Sequence, residues 1–452
     1  MNNLNVGYSK VNITPPLGIG VGGYYVPRFA SGVLDDLRVI TLVLECNAKK
    51  IALISVDHCG LEKKTLERML CAIERETELD RNQVFLSATH THTGGLLEPT
   101  NHFDADPEII EEYAKLVERR IVDGIKLALA DIKPAKMGYI FGWAPERVAY
   151  IRRYMMKDGT TFTCPPIDDP NIDYPIGTLD QRVNVVRFDR GCDDTIVLYN
   201  YGLHADTING DLISPDWPGW TEKTLKDALG VKSIFFNGAE GDVGSTNVHP
   251  KDGDMNDTEI SFDNEMKSPG MARFVGRAIA GTILQVYDKV KYVDVDDIDI
   301  IIKDIKVKSN MPKPEEVPLA IKYKELHESG RDCDIPFKAM QLTTAVADAI
   351  RKVELANGPE YFPVKLTGVK IGEIAMLGIP GEPFTDVGVG IKEAEGWGLI
   401  MPCSLTNGSI GYFPMQSAFD EGGYEAKTSR FGAGVAETII KEGKKLLDEL
   451  RK

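Results

Sequence analysis

The chain has 452 residues, with 68 acidic against 52 basic side chains and a formal charge of −16. That balance excludes the basic footprint needed on nucleic acid or an anionic membrane surface. At 43% hydrophobic and 27% charged residues, it has the composition of a folded globular protein, long enough for two domains or one elaborate one.

The opening MNNLNVGYSKVNITPP has no apolar stretch of the signal-peptide kind, and nowhere do ~18 apolar residues run together as a membrane span requires. Cys46, Cys59, Cys71, Cys164, Cys192, Cys333 and Cys403 include no C-x-x-C pair and read as free thiols. A cytoplasmic protein is the expectation.

Residues 36–57 read as two β-runs joined by a polar Asn-Ala-Lys-Lys turn, followed by a helix over 61–77 and a short strand, QVFLSA. From 107, apolar residues at 109, 110, 113, 116, 117, 121 and 125 keep helical spacing and predict an amphipathic helix. Further strands are expected at 182–189, 194–201 and 232–237, and helices at 217–229, 269–288, 336–357 and 434–451. The acidic stretch 251–267 reads as a surface loop, and the Pro-rich NMPKPEEVP at 310–318 as the candidate internal boundary. No internal repeat is visible. Strands alternating with helices, some as hairpins, give an α/β class, with mixed-sheet α+β as the variant.

Candidate chemistry gathers at strand ends. In FLSATHTHTGGL (85–96) an extended backbone would turn His90 and His92 to one face. That suits a metal site or proton transfer, but equally one turn-bonded and one solvated histidine. His204 follows the strand ending in YNYGL, where a satisfied core histidine is the plainer reading. Glu382, in GIPGE, is placed to ligate a metal or to cap the next helix. Arg152 and Arg153 are adjacent in YIRRY, where two consecutive arginines on a solvated strand edge are the plain reading. GSIGYFPMQSAFDEGGYEAKTS (408–429) is a Gly- and Tyr-rich loop suited to close approach of a ligand. FFNGAEGDVGSTN (235–247) lacks the Gly-Lys-Ser/Thr ending of a phosphate loop, and no G-x-S-x-G elbow occurs. Metal-dependent hydrolysis unifies these strand ends most economically.

Taken together, the segments resemble the catalytic domain of the neutral, non-lysosomal ceramidase family. VGYSKVNITPPLGIGVGGY is similar to its opening and DDLRVITLVLECNAKKIALISVD to its first hairpin. SATHTHTGG resembles its Thr-His-Thr-His-Ser-Gly stretch, YNYGLHADT its second histidine strand, GIPGE its Pro-Gly-Glu motif, and GGYEAKTS its Tyr-Glu-Gly-Ala-Ser segment. The resemblance implies one zinc per chain held by His90, His204, Glu382 and Tyr424, with His92 free to carry protons. It places an arginine, Arg152 or Arg153, near the substrate. Where the family has serine after Gly-Asp-Val, this chain has Gly244, with Ser245 one residue late. Water activated by the metal, rather than serine, is therefore the expected nucleophile. The chain ends after GAGVAETIIKEGKKLLDELRK without the family's immunoglobulin-like domain, so 1–452 is expected to be one catalytic domain. The expected activity is zinc-dependent hydrolysis of an amide in a small N-acylated amine or sugar rather than in ceramide. A lactonase or esterase, and a metal- or ligand-binding protein without catalysis, are the alternatives. A second magnesium or calcium ion and a homo-oligomer are left open.

Overall fold

In the computed structural model, which describes residues 3–99, 105–191 and 194–452, strand β1 (Asn5–Asn12) lies antiparallel to β2 (Arg38–Cys46), which turns back as β3 (Lys49–Val56). The turn is Asn47-Ala48, with φ of 48° and 65°. Two successive positive φ values give a turn whose twist matches that of the flanking strands. Helix α1 (Lys63–Glu76) then crosses over, and β4 (Val84–Ala88) returns parallel to β3. Helix α2 (Pro107–Ala130) starts at the Asp106 cap, with Pro107 in its first turn, and covers the outer face of this sheet.

The same order of moves recurs twice. Strand β5 (Lys136–Trp143) is followed by the short β6 (Arg153–Met156) of a separate small sheet, then β7 (Arg182–Asp189) and β8 (Thr195–Tyr201). β5, β7 and β8 pair antiparallel, α3 (Asp216–Leu229) crosses over, and β9 (Lys232–Asn237) returns parallel to β8. Helix α4 (Pro269–Val286) packs behind, and the edge strand β10 (Lys291–Val293) joins β5. In the third sheet, β11 (Ile298–Lys308) is followed by helices α5 (Val317–Glu328) and α6 (Ala339–Leu355). Antiparallel β12 (Tyr361–Ile371) and β13 (Ile374–Gly378) come next, then α7 (Thr385–Lys392) and β14 (Leu399–Cys403), parallel to β13. Helix α8 (Val435–Arg451) closes the chain behind this sheet.

Three mixed sheets thus share one topology, β-β-β-α-β, although no repeat is legible in the residues. Side-chain alternation explains how they meet. Along β3, Ile51 and Leu53 enter a central core, while Ala52, Ile54 and Val56 face the outer helices. Leu198 and Met376 face that central core from β8 and β13, while Val197 and Leu377 face their own helices. Strands buried on both faces read as nearly continuous apolar runs, which is why β3 and β8 are visible in the sequence.

The predicted elements fall where the apolar spacing puts them, within about three residues at each end. The charged β11, IDIIIKDIKVK, is a strand that this spacing does not predict. The stretch 251–267 departs from a plain surface loop. It holds a helical turn, Asp252–Met255, and a ladder of Glu259–Ile260 with Met266–Lys267, and its end is buried because Lys267 is matched by distant carboxylates. At the Pro-rich 310–318, Ser309 bridges Phe431 and the Asn310 amide donates to the Arg430 carbonyl before the chain enters α5. Cys46, Cys59, Cys71, Cys164, Cys333 and Cys403 are free thiols, and Cys192 lies outside the described residues. Among the described residues, no helix is long and apolar enough to cross a membrane.

Candidate metal centre

The carboxyl ends of the three parallel pairs deliver the residues of one cleft, the position where open α/β sheets leave a crevice. Beyond β3 lie His58 and Cys59, beyond β4 His90 and His92, beyond β8 His204 and Asp206, beyond β9 Glu240, and beyond β13 Glu382. His90 does not continue the strand. β4 ends at Ala88, and His90 has φ of 71°, a left-handed conformation rare for residues with a side chain. The amides of His90 and His92 donate to the His58 and Ala205 carbonyls at 2.9 and 3.0 Å. The two imidazoles do converge, Nε2 to Nε2 at 3.3 Å, but by a turn and not by strand alternation.

His90, His204 and Glu382 each offer a ligand atom, all within 4.8 Å of one another. Each follows a different sheet's strands, and the residues are 4%, 2% and 8% exposed. Glu382 Oε2 lies 3.4 Å from His90 Nε2 and 3.2 Å from His204 Nε2, yet has no aligned hydrogen-bond donor. The far ring nitrogens are committed to backbone carbonyls. His90 Nδ1 faces the Cys59 carbonyl at 2.6 Å, and His204 Nδ1 faces those of Glu240 and Val243 at 2.9 and 3.0 Å. A neutral ring that donates from Nδ1 presents a lone pair at Nε2. Two such lone pairs and an orphaned carboxylate oxygen aimed at one point fit a cation, and the donor set is that of catalytic zinc. Without a metal, a proton substitutes. Burial opposes charge on His90, but the Glu382 carboxylate and Cys59 outweigh it and hold His90 well above the usual range. Burial likewise opposes the Glu382 carboxylate, which His90 and His204 hold well below its usual range.

The phenol assigned by motif, Tyr424, opens a short helical turn, and its amide approaches Thr163 Oγ1 at 3.2 Å. It lines a cavity of about 650 Å³ along α6, and burial, then the Tyr25, Tyr412 and Glu382 charges, push its hydroxyl well above its usual range. Tyr412 is the phenol that the backbone sets beside the carboxylate, because Glu382 and Tyr412 are register partners in a two-residue parallel ladder. The two tyrosine rings pack edge to face, 5.6 Å apart. Burial, then the Glu382 charge, pushes the Tyr412 hydroxyl well above its usual range.

The adjacent arginines separate. Arg152 enters the cleft, with Nε on Glu425 Oε1 at 2.8 Å, Nη2 on the Gly241 carbonyl and the Tyr412 hydroxyl, and Nη1 3.3 Å from His204 Nε2. Arg153 turns away, to Glu421 and the Gly422 carbonyl at 3.0 Å and over the Phe384 ring. Both are buried, which excludes a solvated strand edge. Ser245 lines a different cavity of about 830 Å³, with Tyr150 and Phe274. A Cβ at Gly244 would instead lie 3.6 Å from Glu265 Oε1 and 3.7 Å from the Arg152 side chain.

Several residues of the cleft carry no motif. Cys59 forms a second, overlapping donor trio with His90 and His92. The Glu240 carboxyl is fully buried with both oxygens unpartnered, and burial, partly offset by His90, pushes it up to about 8. Their only sequence signal is a position just past a strand. Because the folded protein favours protonated Glu240, its contribution to stability is complete below the ordinary glutamate range and is lost as pH rises through about 8. The melting temperature of metal-free protein is therefore expected to fall between about pH 5 and 8, and Glu240→Gln to flatten that fall in parallel scans.

The cavity reaching His90 and Glu382 has a volume of about 480 Å³ and a mostly polar lining, including Tyr24, Tyr25 and Cys59, with Arg351 and Glu354 contributed by α6.

Three β-β-β-α-β sheets around one core form the neutral ceramidase fold. The neutral ceramidase from Pseudomonas aeruginosa superimposes with a TM-score of 0.70 at 16% identity, over 100% of this chain and 75% of that one. A ceramidase complexed with C2 gives 0.72 at 15% identity, over 100% and 76%. No protein-family model matches the chain, and no curated protein matches it by sequence.

Proposed function

We propose that the chain is a metal-dependent hydrolase of an amide bond, with one zinc held by His90, His204, Glu382 and a tyrosine. The convergence of two imidazole lone pairs on the orphaned Glu382 oxygen carries this reading, and the ceramidase fold supports it. When bound, the metal supplies Lewis acidity that activates water and polarises the scissile carbonyl.

The chain's own residues do the rest. His92 Nε2 faces the cleft, accepts the proton of the attacking water and returns it to the leaving nitrogen. A C–O bond forms, the C–N bond breaks, and the amine departs neutral. Arg152 is fixed at Nε and Nη2 by Glu425, Gly241 and Tyr412, and Nη1, 3.3 Å from His204 Nε2, is the nitrogen that would turn to a substrate oxygen. Tyr424 is the motif's choice of phenolic ligand, and Tyr412 is the one in register with Glu382.

The substrate is a small polar N-acyl compound, because the cavity at the metal centre carries Glu62, Glu98, Glu354, Arg351 and Arg430 beside Leu96, Leu97 and Ile350. The test is amine release by zinc-loaded protein from N-acetylated amines and amino sugars, beside ceramide and matched esters. Chelator-sensitive release from the small amides is expected. Turnover of esters alone would replace this reading with an esterase or lactonase, and retained zinc without any turnover would leave a binding protein.

A further inference from the structure

Behind His92 lies a buried chain of alternating charge that a metal site does not require. Asp206, Lys267 and Glu265 are 6%, 2% and 7% exposed. Lys267 Nζ pairs with Asp206 Oδ2 and Glu265 Oε2, the Tyr24 hydroxyl donates to Asp206 Oδ1, and the Cys164 thiol donates to Glu265 Oε1 at 2.9 Å. Removing three charges from water is costly, and such groups are a poor route to stability compared with apolar residues of similar volume. Their arrangement instead fixes one carboxylate oxygen, Asp206 Oδ2, 3.5 Å from His92 Nδ1.

The His92 ring has little freedom to answer otherwise. Its carbonyl accepts from Arg28 Nη2 at 2.8 Å, and the Tyr24 ring packs edge-on at 5.5 Å. Gly23 lies so close that a Cβ there would sit 2.7 Å from the imidazole. Nδ1 is buried and makes no hydrogen bond, and Asp206 Oδ2 at 3.5 Å is the acceptor beside it. Were that nitrogen bare, its lone pair and a carboxylate oxygen would lie 3.5 Å apart without a proton to share. A proton on Nδ1 turns the same contact into an attraction and leaves Nε2 bare, 3.3 Å from His90 Nε2.

We propose that Asp206, held by Lys267 and Tyr24, is a positioning residue that fixes His92 as the Nδ1–H tautomer with the Nε2 lone pair directed into the metal cleft. The catalytic use of that lone pair rests on the hydrolase reading above, but the tautomer does not.

The test uses the whole 452-residue chain, metal-free and labelled with ¹⁵N-histidine. Seven histidines give few enough ring signals to assign His92 by loss of its resonances in His92→Gln. Long-range ¹H–¹⁵N correlation is expected to show a protonated Nδ1 and a bare Nε2. An Nε2–H tautomer in the wild type overturns the proposal. Asp206→Leu leaves Lys267 neutralised by Glu265 and is expected to shift His92 toward Nε2–H. Asp206→Asn, whose oxygen the Lys267 ammonium holds in place, is expected to keep Nδ1–H. If Asp206→Leu folds and leaves the tautomer unchanged, the assignment also fails. In the zinc-loaded enzyme, Asp206→Leu is expected to lower kcat about 10–100-fold with KM and zinc content unchanged, and Asp206→Asn to recover most of it. Absence of turnover in every variant and the wild type would count against the hydrolase reading and leave the tautomer result standing.

Discussion

Zinc content is expected to fall from about one per chain to near zero in His90→Ala and in Glu382→Ala, with both variants still folded. Each removes one donor of the His90, His204 and Glu382 trio, and the pair left behind chelates weakly. Folding should survive, because Glu382→Ala removes a buried carboxylate oxygen that no aligned donor satisfies, and His90 anchors the turn by its backbone amide as well as its ring. Loss of the metal removes several kcal/mol of transition-state stabilisation, which at about 1.4 kcal/mol per tenfold is roughly a thousandfold or more in rate. Elemental analysis after gel filtration, with circular dichroism to verify folding, decides the matter. Full occupancy in both variants would sink the ligand assignment. The same measurement on Tyr412→Phe and Tyr424→Phe resolves the phenol, since the residue that ligates loses affinity and the one packed behind it keeps it.

The histidine pair shows how much of this site is visible in advance. Its residue types and its place after an apolar run are legible, and strand alternation predicts that the rings meet. They meet for another reason, since a left-handed His90 redirects the chain just past β4. Nothing in the local sequence marks a non-glycine residue for that conformation, because the carbonyls of His58 and Cys59 that stabilise it arrive from another strand. Likewise Glu382 stands out as a strand-end carboxylate, but its register with Tyr412 is a long-range backbone fact. The motif supplies Tyr424 and strand pairing supplies Tyr412, and the Glu382 charge acts on both phenols.

The repeated topology is hidden for a related reason. Each sheet buries both faces, so β3, β8 and β13 need only apolar residues at every position. Many apolar sequences satisfy that demand, and three copies of one topology leave no shared residue pattern. What the copies do share is the location of chemistry, because each crossover opens a loop at the carboxyl end of its strands. Two histidines and a glutamate at the carboxyl ends of three separate sheets therefore converge despite lying as far apart in sequence as His90 and Glu382.

Lys267→Met should be among the most destabilising single changes in the protein, at about 3–5 kcal/mol. The side chain is 2% exposed and ties Asp206 to Glu265, so its loss leaves two carboxylates buried together without a counter-charge. The stretch that carries it, 251–267, reads as polar and acidic, and only the fold reveals that its last residue is enclosed. Denaturant unfolding of metal-free protein measures the loss, and wild-type stability in Lys267→Met would show that the pairing contributes nothing. The informative comparison is the triple variant Asp206→Asn, Glu265→Gln, Lys267→Met. Replacing the whole set with neutral groups of similar volume removes the unpaired charges and is expected to restore most of the stability, as buried ion networks generally allow. Without the Lys267 ammonium, however, nothing holds the new amide oxygen at position 206 toward His92 Nδ1, so turnover should stay depressed while stability recovers. That separation assigns the three buried charges to orienting His92 rather than to holding the fold together.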